Sequence, residues 1–173
     1  MAYLTRVALL CAGLAMVACT NADRFDNGDT VNLDPAGQQG TDVEPGSAED
    51  PASPAFFEQS VGDRVFFPVD QSTLSGEAEE VLAGQAGWLL TNSDFTAVIE
   101  GHADEQGTRE YNIALGDRRA NAVRDYLVAQ GVPASRLRTV SFGKERPVAV
   151  CSDESCYSQN RRAVTVLALG AGS

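Results

Sequence analysis

The chain is short of the residues that do chemistry. In 173 residues it has one histidine, His102, and four cysteines. One histidine with distant acids does not supply the three protein ligands of a zinc amidase. His102 has no obvious nucleophile beside it in the sequence to activate as a base. Basic side chains are scarce as well. There are 13 Lys and Arg against 24 Asp and Glu, a net charge of −11. That balance repels phosphates and argues against nucleic acid as a partner. The apolar run near the start, Val7 to Val17, covers 11 residues, where a membrane-spanning helix needs about 20. There is no internal repeat, and the length suits one sizeable core. Composition leaves open a lysozyme-like pair of carboxylates.

The first residues read as a targeting segment. Arg6 gives the positive start, and Val7 to Val17 the apolar stretch. Ala15-Met16-Val17-Ala18-Cys19 then has the form of a lipobox, with Met16 where leucine is usual. Residues 1–18 are therefore expected to be a lipoprotein signal peptide and Cys19 the lipidated residue. An ordinary signal peptide with an incidental cysteine is the alternative. Thr20, in place of an aspartate, favours the outer membrane. Cys11 leaves with the leader. Cys151 and Cys156 remain, in the polar run CSDESC of an exported domain, and are expected to form a small-loop disulfide. Metal binding is the other option, but two thiols make half a zinc site.

Residues 19–55 are expected to be a flexible acidic tether. From Thr20 to Ala55, eight acids face one base, Arg24, with few large apolar side chains to bury. Such a chain has an r.m.s. reach of roughly 30–35 Å and a limit of roughly 120 Å. Residues 56–173 form the folded domain. Strands are expected at Val65 to Asp70, Asp94 to Gly101, Leu137 to Phe142 and Arg162 to Leu169. Long helices are expected at Ser75 to Asn92 and Thr108 to Gln130, and a short helical turn at Ser158 to Arg161. Gly131-Val132-Pro133 stops the second helix. The order predicts an α+β sandwich, β-α-β-α-β-(α)-β, with two main helices on one mixed four-stranded sheet.

One residue of the second helix is out of place. With Leu115 at zero and 100° per residue, Ala122, Tyr126 and Val123 fall at about 340°, 20° and 80°, and Arg119 at about 40°. Arg119 sits in the middle of an apolar face. Its burial costs several kcal/mol unless a carboxylate meets it. A structural ion pair is one reading. A pocket floor awaiting a ligand carboxylate is the other, and on that reading Arg119→Ala leaves the melting temperature near or above wild type. Arg118, near 300°, reads as solvated or structural, and His102 as a packed turn residue. Trp88 and Leu90 read as core or core-edge residues.

The stretch EGHADEQGTREYNIALGDRRANAVRDYL, with VSFGKERP at 140–147 and NRRAV at 160–164, resembles the OmpA-like peptidoglycan-binding domain. Within that family it is more closely similar to the lipoproteins of the Tol–Pal system. The resemblance spans roughly Val61 to Leu167. It implies a non-enzymatic, cofactor-free and metal-free domain that grips meso-diaminopimelate of the peptidoglycan stem peptide. The matching positions are Asp104 for the ammonium and Arg119 for the carboxylate. Asn112 would bond the ligand backbone, Asp70 would line the groove, and Asn160 and Arg161 would close the pocket. It further implies the outer membrane as anchor, a periplasm-facing domain, TolB and the Tol complex as partners, and a role in outer-membrane invagination and integrity during division. Flagellar stator anchors share the domain but carry a transmembrane helix.

Overall fold

The computed structural model describes residues 43–170. The leader 1–18, Cys19 and the first part of the 19–55 tether lie outside the described residues. Ordered contacts begin earlier than Phe56, however. Asp50 accepts from the N–H groups of Gly46 and Ala52. Ser53 is buried, and its hydroxyl accepts the Phe56 N–H that opens α1, Pro54–Phe56, which runs into a π-turn, Phe57–Gly62. Trp88 donates its indole N–H to the Pro51 carbonyl at 2.8 Å. Residues 43–55 are as polar as a tether, yet a few local caps and one tryptophan hold them to the domain.

Strand β1 is Arg64–Phe66, shorter than expected. Phe67 turns its N–H to the Arg161 carbonyl at 2.9 Å, and Pro68 has no N–H to offer a ladder. Asp70 then takes φ +55°, so it sits in a turn and not at a strand end. Helix α2, Gly76–Thr91, is capped by Ser75, with Glu77 and Glu79 in its first turn. It buries Ala78, Leu82, Gln85 and Leu89. The buried Gln85 is satisfied by the Gly62 carbonyl and the Thr165 hydroxyl, each at 2.7 Å. Trp88 is buried, while Leu90 is exposed. Strand β2 is Phe95–His102, helix α3 Arg109–Ala129, strand β3 Leu137–Gly143, helix α4 Glu154–Asn160 and strand β4 Arg162–Leu169. Thr108 caps α3, and Gly131 ends it at φ +102° as Val132 N–H closes back on Leu127 O. Helix α4 starts four residues before the expected turn, because Asp153 caps it.

The strand order is β1-β4-β2-β3. β2 and β3 are parallel, and β4 runs antiparallel to β1 and β2. The expected α+β sandwich is what the chain forms. Two glycines set how closely α3 lies on the sheet. A Cβ on Gly101 would meet the Gly116 carbonyl oxygen at 1.8 Å. One helical turn further on, that approach delivers Arg119 beneath the end of β2. A register shift falls between Gly101 and His102, and both residues are buried.

Candidate functional site

Ala103 N–H bonds the Gly143 carbonyl at 2.8 Å, so Asp104 leaves the end of β2 directly into the β2–α3 turn. Its Oδ1 accepts the Gln106 N–H at 3.2 Å, and it is 7% exposed. Asn112 Nδ2 donates to the Gln106 carbonyl at 2.7 Å, and Lys144 Nζ to the Gly107 carbonyl at 2.7 Å. The turn is thus pinned from the helix and from the β3–α4 loop. Beside it opens a groove of about 240 Å3, lined by Val69, Asp70, Asp104, Gln106, Gly107, Tyr111, Asn112 and Leu115. Tyr111 donates its hydroxyl to Asp70, joining α3 to the β1–α2 loop. A smaller hollow of about 150 Å3 beside β1 holds none of the expected residues.

Arg119 is fully buried, as its place on the helical wheel requires. The structural ion pair of the sequence reading is not what holds it. Among the described residues it forms no ion pair. Its guanidinium donates to three backbone carbonyls: Gln71 at 2.8 Å, His102 at 2.8 Å and Pro68 at 3.1 Å. It also lies 5.1 Å from the Phe67 ring centroid. Burial pulls its pKa down to about 10, opposed first by the charge of Asp104, so it stays cationic near neutrality. It ties the β1–α2 loop to the end of β2. The expectation that Arg119→Ala spares stability is therefore corrected: three carbonyls would lose their donor.

Asp104 faces Arg161, with Nη1 to Oδ2 at 3.2 Å and both side chains nearly buried. Arg161 also binds the Phe67 carbonyl and both oxygens of Glu154. Asn160 is turned away from the groove. Its Oδ1 accepts the N–H groups of Val148 and Ala149, and its Nδ2 donates to the Ala149 carbonyl. Its amide oxygen and nitrogen both bond the β3–α4 loop, so it shapes that loop and is not among the residues lining the groove. Cys151 and Cys156 are joined as a disulfide with Cα atoms 5.7 Å apart. Their sulfurs are bonded to each other, as expected of the small-loop disulfide.

With that geometry in hand, comparisons locate the chain among known proteins. Residues 66–161 match the OmpA family. The chain is 51% identical over 175 residues to the peptidoglycan-associated lipoprotein of Mesorhizobium japonicum, covering 99% of this chain and 98% of that protein. It is 48% identical over 154 residues to that of Brucella melitensis, covering 89% and 86%. The chain belongs to the OmpA family, among its peptidoglycan-associated lipoproteins. The crystal structure of the peptidoglycan-associated lipoprotein from Burkholderia pseudomallei matches at TM-score 0.62 and 38% identity, over 70% of this chain and 98% of that one. The C-terminal domain of Helicobacter pylori MotB matches at TM-score 0.59 but 18% identity, over 63% and 86%, which shows the fold alone.

In this OmpA domain the structure brings Asp70, Asp104 and Asn112 to one groove. Arg119 lies buried near Asp104, Arg161 pairs with Asp104, and Asn160 serves elsewhere. Tyr111 and Glu154 were missed from sequence. Tyr111 had a signal, since it falls at about 320° on the same wheel. Glu154 had none, because it lies 50 residues from Asp104 in the chain. Arg118 is exposed and leans over the Tyr111 ring at 6.0 Å. His102 is 1% exposed and stacks on Phe142, with ring centroids 5.6 Å apart. Burial, then Arg162 and Arg146, lower its pKa to about 4. It is neutral at pH 7, and its 3.6 Å approach to Glu100 is not then an ion pair.

Proposed function

We propose that this domain binds peptidoglycan without cleaving it, holding the zwitterionic free centre of meso-diaminopimelate between Asp104 and Arg119. One observation carries the reading. A permanent cation is fully buried near the groove and has no carboxylate of its own among the described residues. Three of its five N–H groups serve carbonyls, which leaves one on each terminal nitrogen for a ligand carboxylate. Asp104, a few ångströms from the groove's other polar groups, offers the complementary pole for an ammonium. Asn112 has its Nδ2 spent on the turn and offers Oδ1 to a ligand N–H. Asp70 and Tyr111 form the outer wall.

A hydrolase using two groove carboxylates is less well supported. Asp104 is committed to Arg161, and Asp70 to the Tyr111 hydroxyl. A general acid needs a carboxyl free to give up a proton to the leaving group. The family membership also favours a binding role.

Acylation of Cys19 would anchor the chain in the outer membrane, facing the periplasm, and the acidic segment after it would span to the wall. The relatives' lipoprotein names and the lipobox support that placement. Work within the Tol–Pal system, with TolB as a partner and a part in division, follows from the same kinship. The test is sedimentation with purified sacculi. Wild type should pellet, and Asp104→Asn and Arg119→Lys should stay in solution while remaining folded. If both variants pellet as wild type does, the proposed pair does not bind the wall.

A further inference from the structure

We infer that Glu154 is a positioning residue for this site: it holds Arg161 and offsets its charge, so that the Asp104 carboxylate is not cancelled by that guanidinium. The inference rests on the reading of Asp104 as the ammonium-binding pole. Arg161 is 5% exposed and lies between two carboxylates. Its Nη1 is 3.2 Å from Asp104 Oδ2 and 3.2 Å from Glu154 Oε2, and its Nη2 donates to Glu154 Oε1.

The charge arithmetic gives Glu154 its role. Asp104 and Arg161 alone sum to zero, and a neutral buried pair exerts little pull on an arriving ammonium. Glu154 gives the trio one net negative charge, which balances the buried Arg119 beside it. Glu154 also takes two of the guanidinium's bonds, against one for Asp104, so the tighter grip is its own. The guanidinium's raised pKa has the Glu154 hydrogen bond as its leading cause, ahead of Asp104. The Glu154 side chain is 65% exposed, so its charge keeps much of its hydration. A second carboxylate beside Asp104 in the interior would lose that hydration.

The fold fixes Glu154 from three sides. Asp153 caps α4 at the residue before it. The Cys151–Cys156 disulfide closes a short ring that contains it. Ser152 reaches across to Glu105, the neighbour of Asp104, at 3.3 Å. The disulfide loop is thus tied to the ligand-facing turn by two polar contacts, and one of them is the Glu154–Arg161–Asp104 chain.

Calorimetric titration of the full-length lipoprotein in detergent tests this. The probes are an N-terminally blocked stem tripeptide ending in meso-diaminopimelate and the same tripeptide acetylated on the diaminopimelate side-chain amine. Glu154→Gln should weaken binding of the free-amine probe about 2- to 5-fold, the scale of one partly exposed charge contact. It should leave the weaker acetylated probe unchanged and the melting temperature near wild type. Glu154→Asp should recover part of the loss. If Glu154→Gln binds the free-amine probe as wild type does while Asp104→Asn does not, the inference is wrong and the site stands. If Asp104→Asn also binds as wild type, the site falls and the inference with it.

Discussion

Replacing Arg119 by alanine strips the donor from three carbonyls at once, those of Pro68, Gln71 and His102. Hydrogen bonds from a charged donor contribute about 1.5–3 kcal/mol each, so the gross loss is about 4.5–9 kcal/mol. Part of this is returned. The fold holds the guanidinium's pKa near 10 instead of 12.5, an electrostatic penalty of about 3 kcal/mol that disappears with the charge. The net cost is then about 1.5–6 kcal/mol, overlapping the range seen when one member of a buried polar set is removed. For a domain of this size that lowers the melting temperature by roughly 5–24 °C. Arg119→Lys keeps the charge but not the planar fork and should lose roughly half as much. Far-UV circular dichroism melts at pH 7 measure both. A melting temperature for Arg119→Ala within about 2 °C of wild type would refute the three-carbonyl clamp. That outcome would return Arg119 to a purely ligand-facing role.

Three further outcomes are expected. The unfolded chain binds a proton at His102 below its ordinary value of 6.5, whereas the folded chain does so only below about 4; stability from this group is full above pH 6.5 and lost as pH falls toward 4, by up to about 3 kcal/mol. Melts from pH 4 to 7 should show a shallower slope for His102→Gln, and identical slopes would contradict it. Gly101→Ala drives a methyl to 1.8 Å from the Gly116 carbonyl and should cost about 3 kcal/mol or more, whereas Gly87→Ala in α2 meets nothing within 4 Å and should be neutral or stabilising by about 0.5–1 kcal/mol; equal melting temperatures would remove the helix–sheet approach as a constraint. Breaking the Cys151–Cys156 ring with a double serine variant should cost no more than about 2 kcal/mol, since the loop is short, and urea titration measures it.

The strand and helix order was legible because period and helix ends agreed: Ser75 and Thr108, where the helices were expected to begin, cap them, and Gly131 stops α3. The buried arginine was also legible, because a charge on an apolar stripe is a local pattern. What that arginine bonds was not. Its acceptors are backbone carbonyls at Pro68, Gln71 and His102, and main-chain oxygens carry no mark in a sequence. The same holds for the 43–55 segment, whose polar composition hid one tryptophan bond to Pro51. Asn160 was expected at the pocket because it opens the NRR motif that the family resemblance carries. Successive residues at the end of a helix point in different directions, and it serves Val148 and Ala149 instead.

The central claim is that Asp104 and Arg119 read the two charged groups of diaminopimelate, and sacculi of different chemistry test it most directly. Walls with lysine at the third stem position keep a side-chain ammonium but lack the second carboxylate, so Arg119 would have nothing to receive. The wild-type lipoprotein should sediment with diaminopimelate sacculi and remain in solution with lysine sacculi at the same mass of wall. Equal sedimentation with both would contradict the claim.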